Sequence, residues 1–321
     1  ISSSDWDTLS SEEANYPLMN RAIAGQYPSG STIKALTTFA GLKYGICDGN
    51  SSWYCTGFWT GFGEQYGMHC WLLSGHGTVN LITGITNSCD IVFYEIGKGF
   101  FYNNDHPEGM QETFRAFGLG ALSGIDLPEE ASGRVPDAEW KWNYFTSSPD
   151  DARKWQGGDN CNLAIGQGDL LVTCLQMANA YCGIANRGPI YKPHVLKSIN
   201  ARNGNGSVIE YKNEVILSPE EKDEHRDIVA RGLYGVVYEE SASQTIHWTN
   251  LDVTVNGKTG TAEQQSIGEP VGWFVGYAPA DKPQYVVAAN LDCAPSGAGS
   301  GMYIVRDVFG AIYNQPDNVG R

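Results

Sequence analysis

The chain has 321 residues, enough for one large domain or for two lobes sharing a core. Apolar residues make up 41% and charged residues 18%, a balance that excludes a disordered chain. Its 21 basic and 36 acidic residues leave a formal net charge of -15 with no run of Lys or Arg, so nucleic acid is excluded as a partner by like-charge repulsion.

The polar start Ser2-Ser3-Ser4-Asp5 reads as the cut end of a longer protein. No signal peptide precedes it, and no later stretch approaches the ~20 apolar residues that cross a bilayer. At Pro28 and Gly30 the chain is punctuated, and a helix-like pattern follows with Ile33, Leu36 and Ala40. Residues 43–80 are rich in Gly, Trp, Tyr and Cys without a sustained period, and compact domains rarely keep so long an irregular stretch without a function or a cross-link. A helix is expected from Cys174, with Thr173 and Gln176 at capping-box spacing and Gly188 as its stop. Strands are expected at 251–256, 271–278 and 285–291, with a turn at Ala280-Asp281-Lys282-Pro283 between the last two. The C-terminal third is therefore an antiparallel meander and the middle mostly helical. Of the eight cysteines, Cys161, Cys174 and Cys182 sit among apolar neighbours and read as buried small hydrophobes. Cys47, Cys55, Cys70 and Cys89 crowd into one segment; Cys293 stands apart.

Three short elements carry chemistry. Ser31 and Lys34 stand one helical turn apart, so their side chains share a face. A serine hydroxyl becomes nucleophilic when a neighbouring base takes its proton, and a partly desolvated lysine can be that base. A helix N-terminus adds N–H groups that favour an oxyanion. Alone, the pair is no more than an N-cap serine near a lysine. Lys258-Thr259-Gly260-Thr261, expected directly after the strand 251–256, offers a cation, two hydroxyls and a glycine that lets a substrate backbone approach; its ordinary interpretation is a strand end with a solvated lysine. Ser88-Cys89-Asp90 offers a second serine that can relay a proton, and is uninformative by itself.

Together and in this order, Ser-x-x-Lys, Ser-x-Asp and Lys-Thr-Gly form the signature set of serine acylases that react with penicillin. The chain resembles the transpeptidase domain of class B penicillin-binding proteins. The resemblance is carried by Asn20-Arg21-Ala22 and Pro28-Ser29-Gly30-Ser31-Thr32-Ile33-Lys34. It continues in Gly124-Ile125-Asp126-Leu127-Pro128, Ala164-Ile165-Gly166-Gln167-Gly168 and Leu175-Gln176-Met177-Ala178. The last matching blocks are Gly257-Lys258-Thr259-Gly260-Thr261-Ala262-Glu263 and Trp273-Phe274-Val275-Gly276-Tyr277-Ala278-Pro279. The middle motif ends in Asp90 where the class usually has Asn; with Gly75-His76-Gly77 upstream this is similar to the elongation-type members.

The resemblance implies an α/β (α+β) fold: an antiparallel sheet flanked by helices, a helical lobe at roughly 31–187, a sheet lobe at roughly 188–321 plus the N-terminal segment, and the site between them. It implies that Ser31 attacks a D-alanyl-D-alanine stem peptide, Lys34 takes its proton, and Ser88, oriented by Asp90, passes a proton to the leaving D-alanine. Lys258 would share a hydrogen-bond network with Ser88, Thr259 and Thr261 would hold the terminal carboxylate, and the amides of Ser31 and Thr261 would form the oxyanion hole. The acceptor is the amine of a second stem peptide, and β-lactams acylate the same serine. No catalytic cofactor is implied. Full-length relatives imply a membrane anchor, a location on the outer face of the cytoplasmic membrane, and a glycosyltransferase and other cell-wall machinery as partners.

Cys55, Cys70, His76 and Cys89 have ligand chemistry suited to zinc and look like the ligand positions of some elongation-type relatives. The rival is a Cys55–Cys70 disulfide, and Cys47 has no assigned role. Rival functions are a D,D-carboxypeptidase, a β-lactam sensor domain and a serine β-lactamase, although no water-activating base for the last is identifiable. One departure is visible: the family's domains usually open on a strand pair and a Thr-Gly-Glu turn, absent ahead of Asp5-Trp6.

Overall fold

A computed structural model describes residues 1–11, 13–14, 16–202, 206–239, 248, 251–263, 270–292, 294 and 298–313. The chain opens on α1 (Ser3–Ser10), then a 3-10 turn (Gly30–Ile33) runs into α2 (Lys34–Lys43). Residues 34–42 are buried on every side, as expected of a helix rich in Ala, Leu and Phe at the centre of a domain. The irregular stretch holds four short strands, β1 (Ser52–Cys55), β2 (Phe58–Trp59), β3 (Met68–His69) and β4 (Gly77–Asn80), paired β1 with β4 and β2 with β3. Cys55 and Cys70 are brought together by these nested hairpins.

Helices follow: α3 (Leu81–Thr86), α4 (Asp90–Tyr102), α5 (Gly109–Ala116), α6 (Ala138–Tyr144), α7 (Asp150–Arg153), α8 (Gly157–Ala164) and α9 (Cys174–Ala185). The capping box at the start of α9 forms as the sequence predicts: Thr173 Oγ1 accepts from the Gln176 amide at 3.1 Å, and Gln176 Oε1 accepts from the Thr173 amide at 2.9 Å. Four more short strands, β5 (Ile190–Tyr191), β6 (Ser198–Asn200), β7 (Ser207–Glu210) and β8 (Val215–Leu217), lead to α10 (Asp223–Tyr238). The principal sheet comprises β9 (Asn256–Ala262), β10 (Val271–Ala278) and β11 (Tyr285–Leu291), antiparallel throughout, and α11 (Ala298–Ile312) closes the fold.

Every residue of β10 is buried, because both faces of the sheet are covered. Side chains alternate across a strand, so Trp273, Val275 and Tyr277 join the main core with Leu36, Phe39 and Met177, while Phe274 and Ala278 pack with Met302, Val305 and Phe309 of α11.

The strands at 271–278 and 285–291 lie where the sequence puts them. The third does not: the strand begins at Asn256, and 251–255 form an irregular lead-in with Leu251 and Val255 buried. The alternation there reports side chains reaching the second core, not a ladder. Lys258-Thr259-Gly260-Thr261 therefore sits inside β9 instead of after it. Cys161 is fully buried, but Cys174 and Cys182 are only half-buried on α9. Cys293 lies outside the described residues. No helix among the described residues is long and apolar enough to cross a membrane.

Candidate active site

The nucleophile candidate lies in a turn pressed against β9. Gly30 has φ +51°, and a Cβ there would stand 2.6 Å from Thr261 O, so the turn can seat on the strand only with glycine. Gly260 faces the turn from the other side, and a Cβ there would stand 2.9 Å from Ser29 O. A second loop braces the turn from behind: the Gly30 amide donates to Gly166 O at 2.9 Å, and Gly166, at φ +76°, leaves no room for a side chain against Gly30 O. Three buried bonds fix the turn's flanks. Trp273 Nε1 donates to Pro28 O at 2.9 Å, Thr32 Oγ1 to Ser29 O at 2.7 Å and Tyr181 OH to Thr32 O at 2.9 Å. Ser31, half-buried, stands in the middle of this frame.

Lys34 opens α2 one turn later and is fully buried. Its ammonium donates to Asp90 Oδ1 at 2.7 Å, to Ser88 O at 2.8 Å and to Ser88 Oγ at 3.2 Å, and lies 5.1 Å from the centre of the Phe93 ring. Ser88 takes φ +52°, a left-handed conformation uncommon for serine, which aims both its oxygens at the lysine. Asp90 begins α4, where a carboxylate is favoured by the helix dipole, and its other oxygen accepts from the Trp71 amide at 2.9 Å.

Lys258 is also fully buried. Burial, and then the Lys34 charge, push its pKa well below the ordinary lysine value of 10.5, against an opposing pull from Asp90. Its ammonium hydrogen-bonds Thr259 O at 3.2 Å and Thr259 Oγ1 at 3.5 Å. Among the described residues these bonds run along its own strand, not to Ser88 as expected, because β9 holds the side chain beside the Thr259 backbone. Thr259 is half-buried and Thr261 exposed, on the rim of the site. Gln167 Nε2 donates to Thr261 O at 3.5 Å. Gln167, Phe93 and the Trp71 amide were given no role by the sequence; Gln167 stood in a recognised block, whereas nothing in the sequence signals the other two.

The four residues Cys55, Cys70, His76 and Cys89 converge, with their ligand atoms all within 4.8 Å of one another. His76 Nδ1 lies 3.5 Å from Cys55 Sγ and 3.6 Å from Cys70 Sγ. With Zn–S about 2.3 Å and Zn–N about 2.0–2.1 Å, tetrahedral geometry puts S–N edges at about 3.5 Å, so the residues fit the ion. All three cysteines are free thiols, not the rival Cys55–Cys70 disulfide. A hydrogen bond between the Cys70 and Cys89 sulfurs pulls Cys70 down to about 5, far below the usual thiol range, and with burial pushes Cys89 up. Cys47 stands apart: burial pushes it up to about 12, and its sulfur packs against Gly41 of α2.

A buried lysine tied to a second serine, one turn from a framed serine and opposite a lysine-bearing edge strand, defines a serine acyl-transfer class of site. The chain belongs to the penicillin-binding protein transpeptidase domain family, whose model matches residues 3–313. It is 31% identical to the peptidoglycan D,D-transpeptidase MrdA of Acinetobacter baumannii, over 96% of this chain and 45% of that protein. Pseudomonas aeruginosa PBP2, solved in complex with WCK 5153, superposes with a TM-score of 0.83 at 27% identity, over 100% of this chain and 68% of that one. Helicobacter pylori PBP2, solved in complex with MreC, gives a TM-score of 0.77 at 25% identity, over 99% of this chain and 53% of that one. The chain spans about half the length of the curated relatives it matches.

Proposed function

We propose that this chain is the catalytic domain of a peptidoglycan D,D-transpeptidase, with a helical lobe at roughly 31–187 and a sheet lobe at roughly 188–321. From the form in which Lys34 Nζ is a neutral amine, Ser31 Oγ attacks the carbonyl carbon between the two terminal D-alanines of a donor stem peptide, and its proton goes to Lys34 Nζ. Asp90 holds the ammonium that forms. Backbone amides at Ser31 and Thr261 take the oxyanion charge, usually one of the largest contributions to such catalysis. As the tetrahedral species collapses the C–N bond breaks, and Ser88 Oγ delivers a proton to the departing D-alanine amine while taking the one held on Lys34 Nζ in its place. An amine of a second stem peptide then attacks the acyl-serine and releases Ser31 with its proton restored. Lys258, whose affinity for a proton is lowered by burial and by Lys34, is the cation that most readily stands neutral here. This weaker hold on its proton lessens the cost of placing the Ser31 proton on Lys34 nearby. Thr259 and Thr261 hold the terminal carboxylate of the donor.

The observation that carries this reading is the set of three hydrogen bonds from buried Lys34 Nζ to Asp90 Oδ1, Ser88 O and Ser88 Oγ. Intact-mass measurement after incubation with a penicillin tests it: one adduct per chain, absent in Ser31→Ala. Transfer of a D-alanyl thioester to an amine separates a transpeptidase from a carboxypeptidase and from a drug sensor. A stoichiometric burst with a chromogenic cephalosporin, without steady turnover, separates it from a β-lactamase.

The Cys55, Cys70, His76 and Cys89 set is proposed to hold a structural zinc, which takes no part in the acyl transfer. Cys89 lies between Ser88 and Asp90, and Cys70 precedes Trp71, whose amide binds Asp90, so the ion braces one wall of the site. Within the whole protein the domain is proposed to work anchored at the outer face of the cytoplasmic membrane, beside a glycosyltransferase and other cell-wall machinery.

A further inference from the structure

Helix α6 is unusual because it buries none of its residues although it carries Trp140, Trp142 and Tyr144. Helices of this length normally persist by packing an apolar face. Here the Asp137 carboxylate caps the first turn, accepting from the Trp140 amide at 2.7 Å, and Lys141 pairs with Asp159 at 2.6 Å. Trp140 and Tyr144, four residues apart, stack with ring centres 4.8 Å apart and planes 26° apart. The Arg134 guanidinium lies 4.4 Å from the Trp140 ring centre and 5.6 Å from that of Tyr144. Tyr144 nevertheless stays 60% exposed. Asn143, at helical spacing beside the same pair, presents an exposed amide.

This shelf is joined to the nucleophile turn. Arg134 Nε donates to Asp169 O at 2.7 Å, and the same loop carries Gly166, which accepts from the Gly30 amide, and Gln167, which reaches Thr261 O. We infer that Trp140, Tyr144 and Asn143, steadied by Arg134, form a saccharide-binding shelf that seats a neutral amino-sugar unit of the glycan bearing the stem peptide. The inference rests on the transpeptidase reading. A stem of four or five residues extends up to ~13–18 Å, so its sugar can lie well away from Ser31 while its end is held there. Aromatic faces offer the C–H face of a pyranose what they offer other flat or apolar groups, and the neighbouring amide can pair with N-acetyl and hydroxyl groups. A net charge of -15 selects a neutral glycan over an anionic polymer.

The test is titration of this chain with chitotetraose, a neutral amino-sugar oligomer, followed by calorimetry. Saturable binding is expected, about tenfold weaker in Tyr144→Ala and retained in Tyr144→Phe. The rate of Ser31 acylation by a penicillin should be unchanged in both variants, which also shows that they are folded. Lack of saturable binding to chitotetraose, or equal affinity in Tyr144→Ala, overturns the shelf. A penicillin adduct that forms normally alongside such a result leaves the transpeptidase reading standing; failure of the adduct itself sinks that reading instead.

Discussion

Replacing Asp90 by alanine strands the Lys34 ammonium. That charge is fully buried, and its bond to Asp90 Oδ1, at 2.7 Å, is its one ionic partner among the described residues. After the substitution it keeps two neutral oxygens of Ser88 and the face of Phe93. The Trp71 amide loses its acceptor at the same time. Breaking a buried pair by removing one member costs about 3–5 kcal/mol. At ~2 °C per kcal/mol for a domain of this size, the melting temperature should fall by roughly 6–10 °C. Asp90→Asn keeps an acceptor without the charge, and charged hydrogen bonds are about twice as strong as neutral ones, so its loss should be about half as large. Lys34→Met and the double variant complete a cycle. A contact this short and this buried should give a coupling of about 2–3 kcal/mol by chemical denaturation. Additive single effects would refute the argument, since the two groups would then not depend on each other.

The other predictions concern the frame, the charge and the metal. Gly30→Ala places a methyl group against Thr261 O at a left-handed φ, so penicillin acylation, followed by a fluorescent label, should drop at least about tenfold, with a stability loss of about 1–3 kcal/mol. Lys258 has a folded-state pKa well below its unfolded value, so its charge opposes folding when both states are protonated, and stability should rise as pH climbs from the depressed pKa toward 10.5. Lys258→Met should therefore be more stable than the parent at neutral pH, with the gap closing toward pH 10.5 in urea melts, while acyl transfer is lost. Atomic absorption should find one zinc per chain; chelation should lower the melting temperature, release three reactive thiols and slow acylation, and Cys47→Ser should change none of these.

Much of this was legible from sequence because it depends on local chemistry. Thr173 and Gln176 cap α9 by their own side chains, so three residues of spacing suffice. The strands 271–278 and 285–291 are rich in Val, aromatic and Ala residues bounded by turn signals, and both bounds hold. Ser31, Lys34, Ser88, Asp90, Lys258 and the Cys55, Cys70, His76 and Cys89 set were all named from motif order and resemblance. The strand at 251–256 was misplaced because its alternation comes from Leu251 and Val255 reaching the second core, a preference that periodicity cannot tell from a ladder.

By itself, then, the sequence determined the chemical inventory: which hydroxyls, amines, thiols and carboxylates exist, at what spacing, and which short segments curl or extend. Only the tertiary structure decided which of these meet. Lys34 and Asp90 are separated by 56 positions and Gly30 and Thr261 by 231, and no local preference acts across such distances. Their contacts exist because α2, α4 and β9 bury their apolar faces in a common core, and that burial carries the polar groups to one place.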